Sequence, residues 1–183
     1  MSKKVIVFLA DGFEEVEAVT PIDYLRRAGA DVTVAGIGGL TIKSSRGLRV
    51  QADASVIDVE AVAWDAVVVP GGMPGAANIA ADTVCSKLIK SAVAKDHLVA
   101  AICAAPAVVL SPLGLLSGRR FTCFPGMEKD VSGARWSDER VVVDGNLITS
   151  RAAGTAGEWS LAIVAKLFGE ESALKIAKAV LLK

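Results

Sequence analysis

Apolar residues in this chain fall into two recurrent patterns: short unbroken runs rich in valine and isoleucine, and longer stretches in which they return every three or four positions. Unbroken runs mark strands covered on both faces, as in a parallel sheet, because a half-solvated strand would alternate. Such runs are Lys4–Leu9, Asp31–Gly36, Ala66–Val69 and Leu98–Ile102. Between the first two, Val16, Val19, Ile22 and Leu25 repeat every third residue and Gly29 follows, which predicts a helix with a glycine stop and hence a βαβ unit. Pro21 lies inside that helix and removes the N–H that would meet the Glu17 carbonyl, so a distortion beside Glu17 is expected. From Thr41 to Ala54, short alternating segments broken at Gly47 suggest antiparallel additions at a sheet edge.

Thr83–Lys95 carries Val84, Leu88 and Ala92 at helical spacing. Ala104–Leu110 can be helical only with Pro106 in the first turn, where a missing N–H costs nothing; Cys103 then occupies a sharp strand-to-helix turn. Phe121–Phe124 reads as a short strand, and Val141–Val143 with Leu147–Thr149 as a hairpin around Asp144-Gly145-Asn146. Two helices close the chain, Ala156–Phe168 and Glu170–Leu182, parted by Gly169. The alternation of buried strand and helix predicts an α/β protein with a mostly parallel central sheet flanked by helices.

The chain has 183 residues and shows no repeat, linker or low-complexity tract, so residues 1–183 are read as one domain. Twenty basic and twenty acidic residues balance without a like-charge run, which argues against a nucleic-acid surface or a polybasic membrane anchor. The longest apolar run, Leu98–Leu110, has thirteen residues, too few to span a bilayer, and Val5–Ala10 stops too soon for a signal-peptide core. A cytoplasmic protein is expected. Cys85, Cys103 and Cys123 are widely spaced without a CxxC, which reads as free thiols, neither disulfides nor a metal site.

In open α/β sheets, ligands bind beyond the carboxyl ends of the strands. Three segments fall there: Asp11–Glu17, Pro70-Gly71-Gly72 and Ala101–Pro106. At its turn, Cys103 meets free N–H groups and a helix dipole that favour the thiolate, which makes it a candidate nucleophile as readily as a small buried apolar residue. The Gly72 N–H, with that of Ala104, would stabilise an oxyanion, and the glycines permit close approach of the backbone. Glu14 and Glu15 in the first helical turn read as solvated or capping, which leaves Glu17 as the candidate acid. His97, the only histidine, precedes the fourth strand at the end away from Cys103, so a Cys-His pair within one chain is excluded. Gly36, Gly38 and Gly39 lead into no helix and read as a turn.

Ala10–Glu17, Val69-Pro70-Gly71-Gly72, Ala100–Pro106 and Thr149–Thr155, with Arg26–Gly29 and Ser44-Ser45-Arg46, together resemble the ThiJ/PfpI superfamily, in order and over nearly the whole chain. The likeness is closest to its parkinsonism-associated deglycase branch. It implies a flavodoxin-like three-layer sandwich, a homodimer, no cofactor and no metal. It matches the family's nucleophile to Cys103, its protonated glutamate to Glu17, and its oxyanion donors to Gly72, of the Gly71-Gly72 pair, and Ala104. Its anion-binding arginines near the dimer interface match Arg27 and Arg46. The implied substrates are small dicarbonyls such as methylglyoxal, or glycated adducts, handled without glutathione. The competing implication is an oxidative-stress sensor whose cysteine becomes a sulfenate or sulfinate.

Two departures stand out. Phe124-Pro125 replaces the histidine that many members place before proline, and Ala152-Ala153 replaces Gly-Pro before Gly154-Thr155. Protease-like members carry histidine directly after the cysteine; Ala104 here makes a cysteine peptidase the weakest reading.

Overall fold

The apolar runs form the sheet they predict. In the computed structural model, which describes residues 2–182, β1 (Lys4–Ala10) lies between β2 (Asp31–Ile37) and β6 (Ala66–Val69), parallel to both. Next to β6 come β7 (Leu98–Ile102) and β11 (Leu147–Ser150), again parallel, and β10 (Val141–Asp144) pairs antiparallel with β11 as the predicted hairpin. The full order is β10-β11-β7-β6-β1-β2-β5, with β5 (Ala54–Ser55) a parallel edge strand on β2. Among the long parallel strands the order reverses between β1 and β6, and the loops after those two strands open a crevice there.

Alternate residues of each strand serve opposite faces. Ile6, Phe8 and Ala10 pack with Val67, Val69 and Ala101 beneath α2 (Gly75–Ala81) and α3 (Thr83–Ala94). Val5, Val7 and Leu9 pack with Val68, Ala100 and Ile148 against α1 (Glu15–Arg27), α4 (Ala156–Phe168) and α5 (Glu170–Ala179). Both faces are thus covered by helices.

Several expectations need correction. β3 (Thr41–Lys43) and β4 (Arg49–Gln51) pair antiparallel with each other as a separate two-stranded ribbon, and the edge of the main sheet is parallel β5. α1 runs unbroken through Pro21, and its buried side is Glu17, Ala18, Pro21, Ile22, Tyr24 and Leu25. Val16 and Val19 stay 47% and 45% exposed, because a strict three-residue repeat drifts around a helix of 3.6 residues per turn. Of the predicted 121–124 strand only Phe121 is one, the end of β8 (Arg120–Phe121), paired with β9 (Arg135–Trp136). Thr122 and Phe124 instead give their N–H groups to the Thr149 hydroxyl and the Cys103 carbonyl, which takes the segment out of any ladder. Among the described residues, no helix is long and apolar enough to cross a membrane.

Candidate active site

β7 delivers Cys103 into a left-handed backbone conformation, φ 62°, which a side chain adopts at a cost and which aims the sulfur away from the strand. The conformation is held from both sides: the Cys103 N–H donates to the Ser150 carbonyl at 3.0 Å, and its carbonyl accepts from the Phe124 N–H at 2.8 Å. Pro106 then opens a single π-type turn, Pro106–Leu110, in which the Ser111 N–H reaches the Pro106 carbonyl at 3.0 Å. Strand, elbow and proline-initiated turn therefore follow the predicted sequence.

Glu17 enters from the first turn of α1 and is 1% exposed. A buried carboxyl needs partners, and three groups supply them. Its Oε2 accepts from the Gly71 N–H at 2.9 Å, a second backbone donor is the Ala153 N–H, and its carboxyl shares a side-chain hydrogen bond with the Cys103 thiol. Glu14, the N-cap of α1, holds the main chain of Glu17 instead: its Oε2 accepts from the Glu17 N–H at 2.8 Å. On the other side of the thiol, the Gly72 and Ala104 N–H groups both hydrogen-bond the sulfur.

The glycines make this proximity possible. A Cβ on Gly71 would stand 2.7 Å from both the Cys103 Cβ and the Glu17 Oε2, and 2.9 Å from the Ile102 carbonyl oxygen. Gly72 has φ +85°, and a Cβ there would fall 2.4 Å from the Glu14 nitrogen. No larger residue fits either place.

Burial pushes the Glu17 carboxyl up to about 7, with the Glu14 charge adding to the effect and the hydrogen bonds from Cys103, Gly71 and Ala153 opposing it. Burial also pushes the Cys103 thiol up to about 12, with Glu17 adding to it, against the Gly72 and Ala104 N–H groups. Glu17 raises the thiol, because two anions cannot share so dry a space, while the thiol's hydrogen bond lowers Glu17; the pair gives up its first proton at about pH 7, from Glu17, and keeps the second on the sulfur. The thiolate expected from the turn alone is thus not the resting state: burial and Glu17 outweigh the two N–H groups. The sulfur becomes anionic when Glu17 takes the proton.

The remaining residues are placed as follows. Arg27 is exposed and bound to Asp23 at 2.7 Å one helical turn back, and Arg46 is exposed in the turn between β3 and β4. Neither acts on Cys103 or Glu17 within one chain. His97 sits before β7 with Nδ1 2.6 Å from the Trp64 carbonyl, at the far end of the strand. Phe124 is half exposed beside the elbow while Cys123 is buried, its Sγ 3.5 Å from the Phe124 carbonyl. Ala153, read from the sequence only as a departure, contributes its main-chain N–H, a contact independent of its side chain. Among the described residues, no group of three or more histidine, cysteine or acidic residues is placed to hold a metal ion.

A doubly wound α/β fold with a cysteine at the elbow after a central strand, hydrogen-bonded to a buried glutamate, defines a class of cysteine-centred proteins. Comparison makes the assignment specific: the profile of the DJ-1/PfpI family matches residues 3–166, and the chain belongs to that family. It is 42% identical to Protein dj-1beta of Drosophila melanogaster over 99% of this chain and 98% of that protein. It is also 42% identical to Protein DJ-1 homolog B of Arabidopsis thaliana, over 97% of this chain but only 41% of the plant protein's length. A Caenorhabditis elegans relative named glutathione-independent glyoxalase DJR-1.2 is 34% identical over 90% of this chain and 88% of its own. Among solved structures, oxidized DJ-1 of Toxoplasma gondii superposes with a TM-score of 0.96 at 38% identity, covering 98% of each chain.

Proposed function

We propose that the protein is a glutathione-independent glyoxalase, converting methylglyoxal or glyoxal to the 2-hydroxy acid with Cys103 as nucleophile and Glu17 as proton carrier. The observation that carries this reading is the hydrogen bond between the Cys103 thiol and the buried Glu17 carboxyl, beside the Gly72 and Ala104 backbone donors. As the sulfur attacks the aldehyde carbon, its proton passes to Glu17 and the carbonyl electron pair moves onto oxygen, where the Gly72 and Ala104 N–H groups stabilise it. Glu17 protonates that oxygen to give the hemithioacetal. Now ionised, it removes the hydrogen on the same carbon to form an enediolate and returns the proton to the adjacent carbon. The first carbon is thereby oxidised and the second reduced, leaving a 2-hydroxy thioester. Water cleaves the thioester, releasing the acid and restoring the thiol.

A carboxyl near pH 7 suits both halves of this cycle, since it gives and takes a proton with little penalty. The nematode relative's name supports the same chemistry. Hemithioacetal adducts on other thiols present the same group to Cys103, so deglycase activity is part of the proposal. We further propose a cytoplasmic homodimer: the exposed Val16 and Val19 on α1 suit burial against a second copy, and only a second copy would bring Arg27 and Arg46 toward a site.

The test is lactate formation from methylglyoxal without glutathione by wild type, Cys103→Ser and Glu17→Gln. Each variant should lose at least ~100-fold; undiminished turnover in either removes that residue from the mechanism. A second reading, a redox sensor, is favoured by the partly accessible Cys103 beside two buried cysteines and by the oxidized state of the Toxoplasma relative. Negligible lactate with peroxide oxidation confined to Cys103 would select it.

A further inference from the structure

The carboxylate of Glu14 is bonded to neither the sulfur nor the oxyanion donors, yet Glu14 is bonded to two of the elements that hold Glu17, its own helix and the Gly71 segment after β6. Its N–H donates to the Gly71 carbonyl at 3.0 Å, its carbonyl accepts from the Ala18 N–H at 3.2 Å, and its Oε2 accepts from the Glu17 N–H at 2.8 Å. Gly71 closes the ring by donating its own N–H to the Glu17 carboxyl at 2.9 Å. Many residue types would cap a helix here, serine, threonine and asparagine among them. Glutamate adds what those lack, a full negative charge one turn from a buried acid. Among the described residues, no salt bridge neutralises it.

We propose that Glu14 is a positioning residue whose charge keeps the shared proton on the Glu17–Cys103 pair, while its cap and backbone bonds fix where that pair stands. The groups facing Glu17 are few: the Cys103 thiol from the β7 elbow, the Gly71 N–H after β6, the Ala153 N–H after β11, and Glu14 on its own helix. The three donors stabilise the ionised carboxylate. Among the described residues, Glu14 supplies the one charge that opposes them, and burial acts with it. Without Glu14, the same donors would strip Glu17 of its proton at lower pH and leave it too weak a base to accept the thiol proton.

The inference rests on Glu17 as the proton carrier, and its test reads Glu17 directly rather than through turnover. Glu14→Gln keeps a side-chain oxygen for the cap and removes the charge, and Glu14→Ser substitutes a favoured neutral cap. Carboxyl carbon NMR of protein labelled at glutamate, with Glu17→Gln assigning the resonance, should show Glu17 titrating about one pH unit lower in both variants than in wild type. Alkylation of Cys103 followed against pH should shift with it. A capping role alone would change melting temperature in proportion to cap quality and leave the Glu17 midpoint in place. An unmoved midpoint in either folded variant overturns the proposal. A shifted midpoint in a protein that forms no lactate would leave it standing and remove the glyoxalase reading instead.

Discussion

Glu17 carries a thermodynamic signature that can be read without any substrate. Its carboxyl ionises near 4.5 in the unfolded chain and about 7 in the folded one, because burial opposes the charge more than its hydrogen bonds favour it. Between those values the native state holds a proton that the unfolded state has lost, so stability falls as pH rises through this window. One pKa unit corresponds to about 1.4 kcal/mol, so the loss across the interval is about 3 kcal/mol. Glu17→Gln abolishes it: the amide cannot ionise, and any fixed penalty from exchanging an oxygen for an NH₂ group is the same at every pH. Urea unfolding of both proteins should be measured in half-unit steps from about pH 4 to 8, below the range in which the unfolded thiols titrate. The wild-type stability minus that of the variant should drop by about 3 kcal/mol over this range and be flat at either end. Contributions of all other carboxyls cancel in that difference. A difference that stays within 1 kcal/mol throughout, or that grows with pH, would mean Glu17 is not held as a buried acid.

Two further outcomes follow from packing. Gly71→Ala forces a methyl to within 2.7 Å of both Cys103 and Glu17, so unfolding free energy should fall by about 1–3 kcal/mol and Cys103 alkylation should change. Gly39→Ala, with open space at its Cβ, should stay within about 0.5 kcal/mol and serves as the control. Thr122→Val removes a fully buried hydroxyl that has no hydrogen-bond partner while keeping the shape, so it should be neutral or stabilising by about 1 kcal/mol. A loss of more than 1 kcal/mol in urea unfolding would show the hydroxyl to be bonded.

Strands with continuous valine and isoleucine were legible because no other structure tolerates such runs at that length. Cys103 was legible because Pro106 permits helix only as an opening turn, which leaves the cysteine at the bend. Glu14 was readable as a cap, since an acidic residue ahead of a helical repeat satisfies free N–H groups. By contrast, α2 is made of glycine, alanine, one asparagine and one isoleucine, so it lacks the run of large apolar residues that reveals a period. The repeat that includes Val16 and Val19 located α1 but not its buried side, because hydrophobicity alone does not say which side of the helix meets the sheet. The Ala153 donor left no sequence signal at all, being a main-chain group presented by tertiary structure. The coupling that keeps a proton on the Cys103–Glu17 pair depends on burial and was equally invisible.

Four of the groups that meet the sulfur or the glutamate are main-chain N–H donors, from Gly71, Gly72, Ala104 and Ala153. This divides mutational freedom unequally around the pocket. Ala153 can be exchanged for other side chains without deleting the donor it supplies; Ala104 is 3% exposed and packed in the core, so a larger side chain there costs stability, and at positions 71 and 72 any side chain collides with neighbouring groups. A directed-evolution library built around this site should therefore randomise 153 and the exposed Phe124 and hold both glycines and Ala104 constant. Diversity then accumulates beside the site while the Cys103–Glu17 pair is inherited intact.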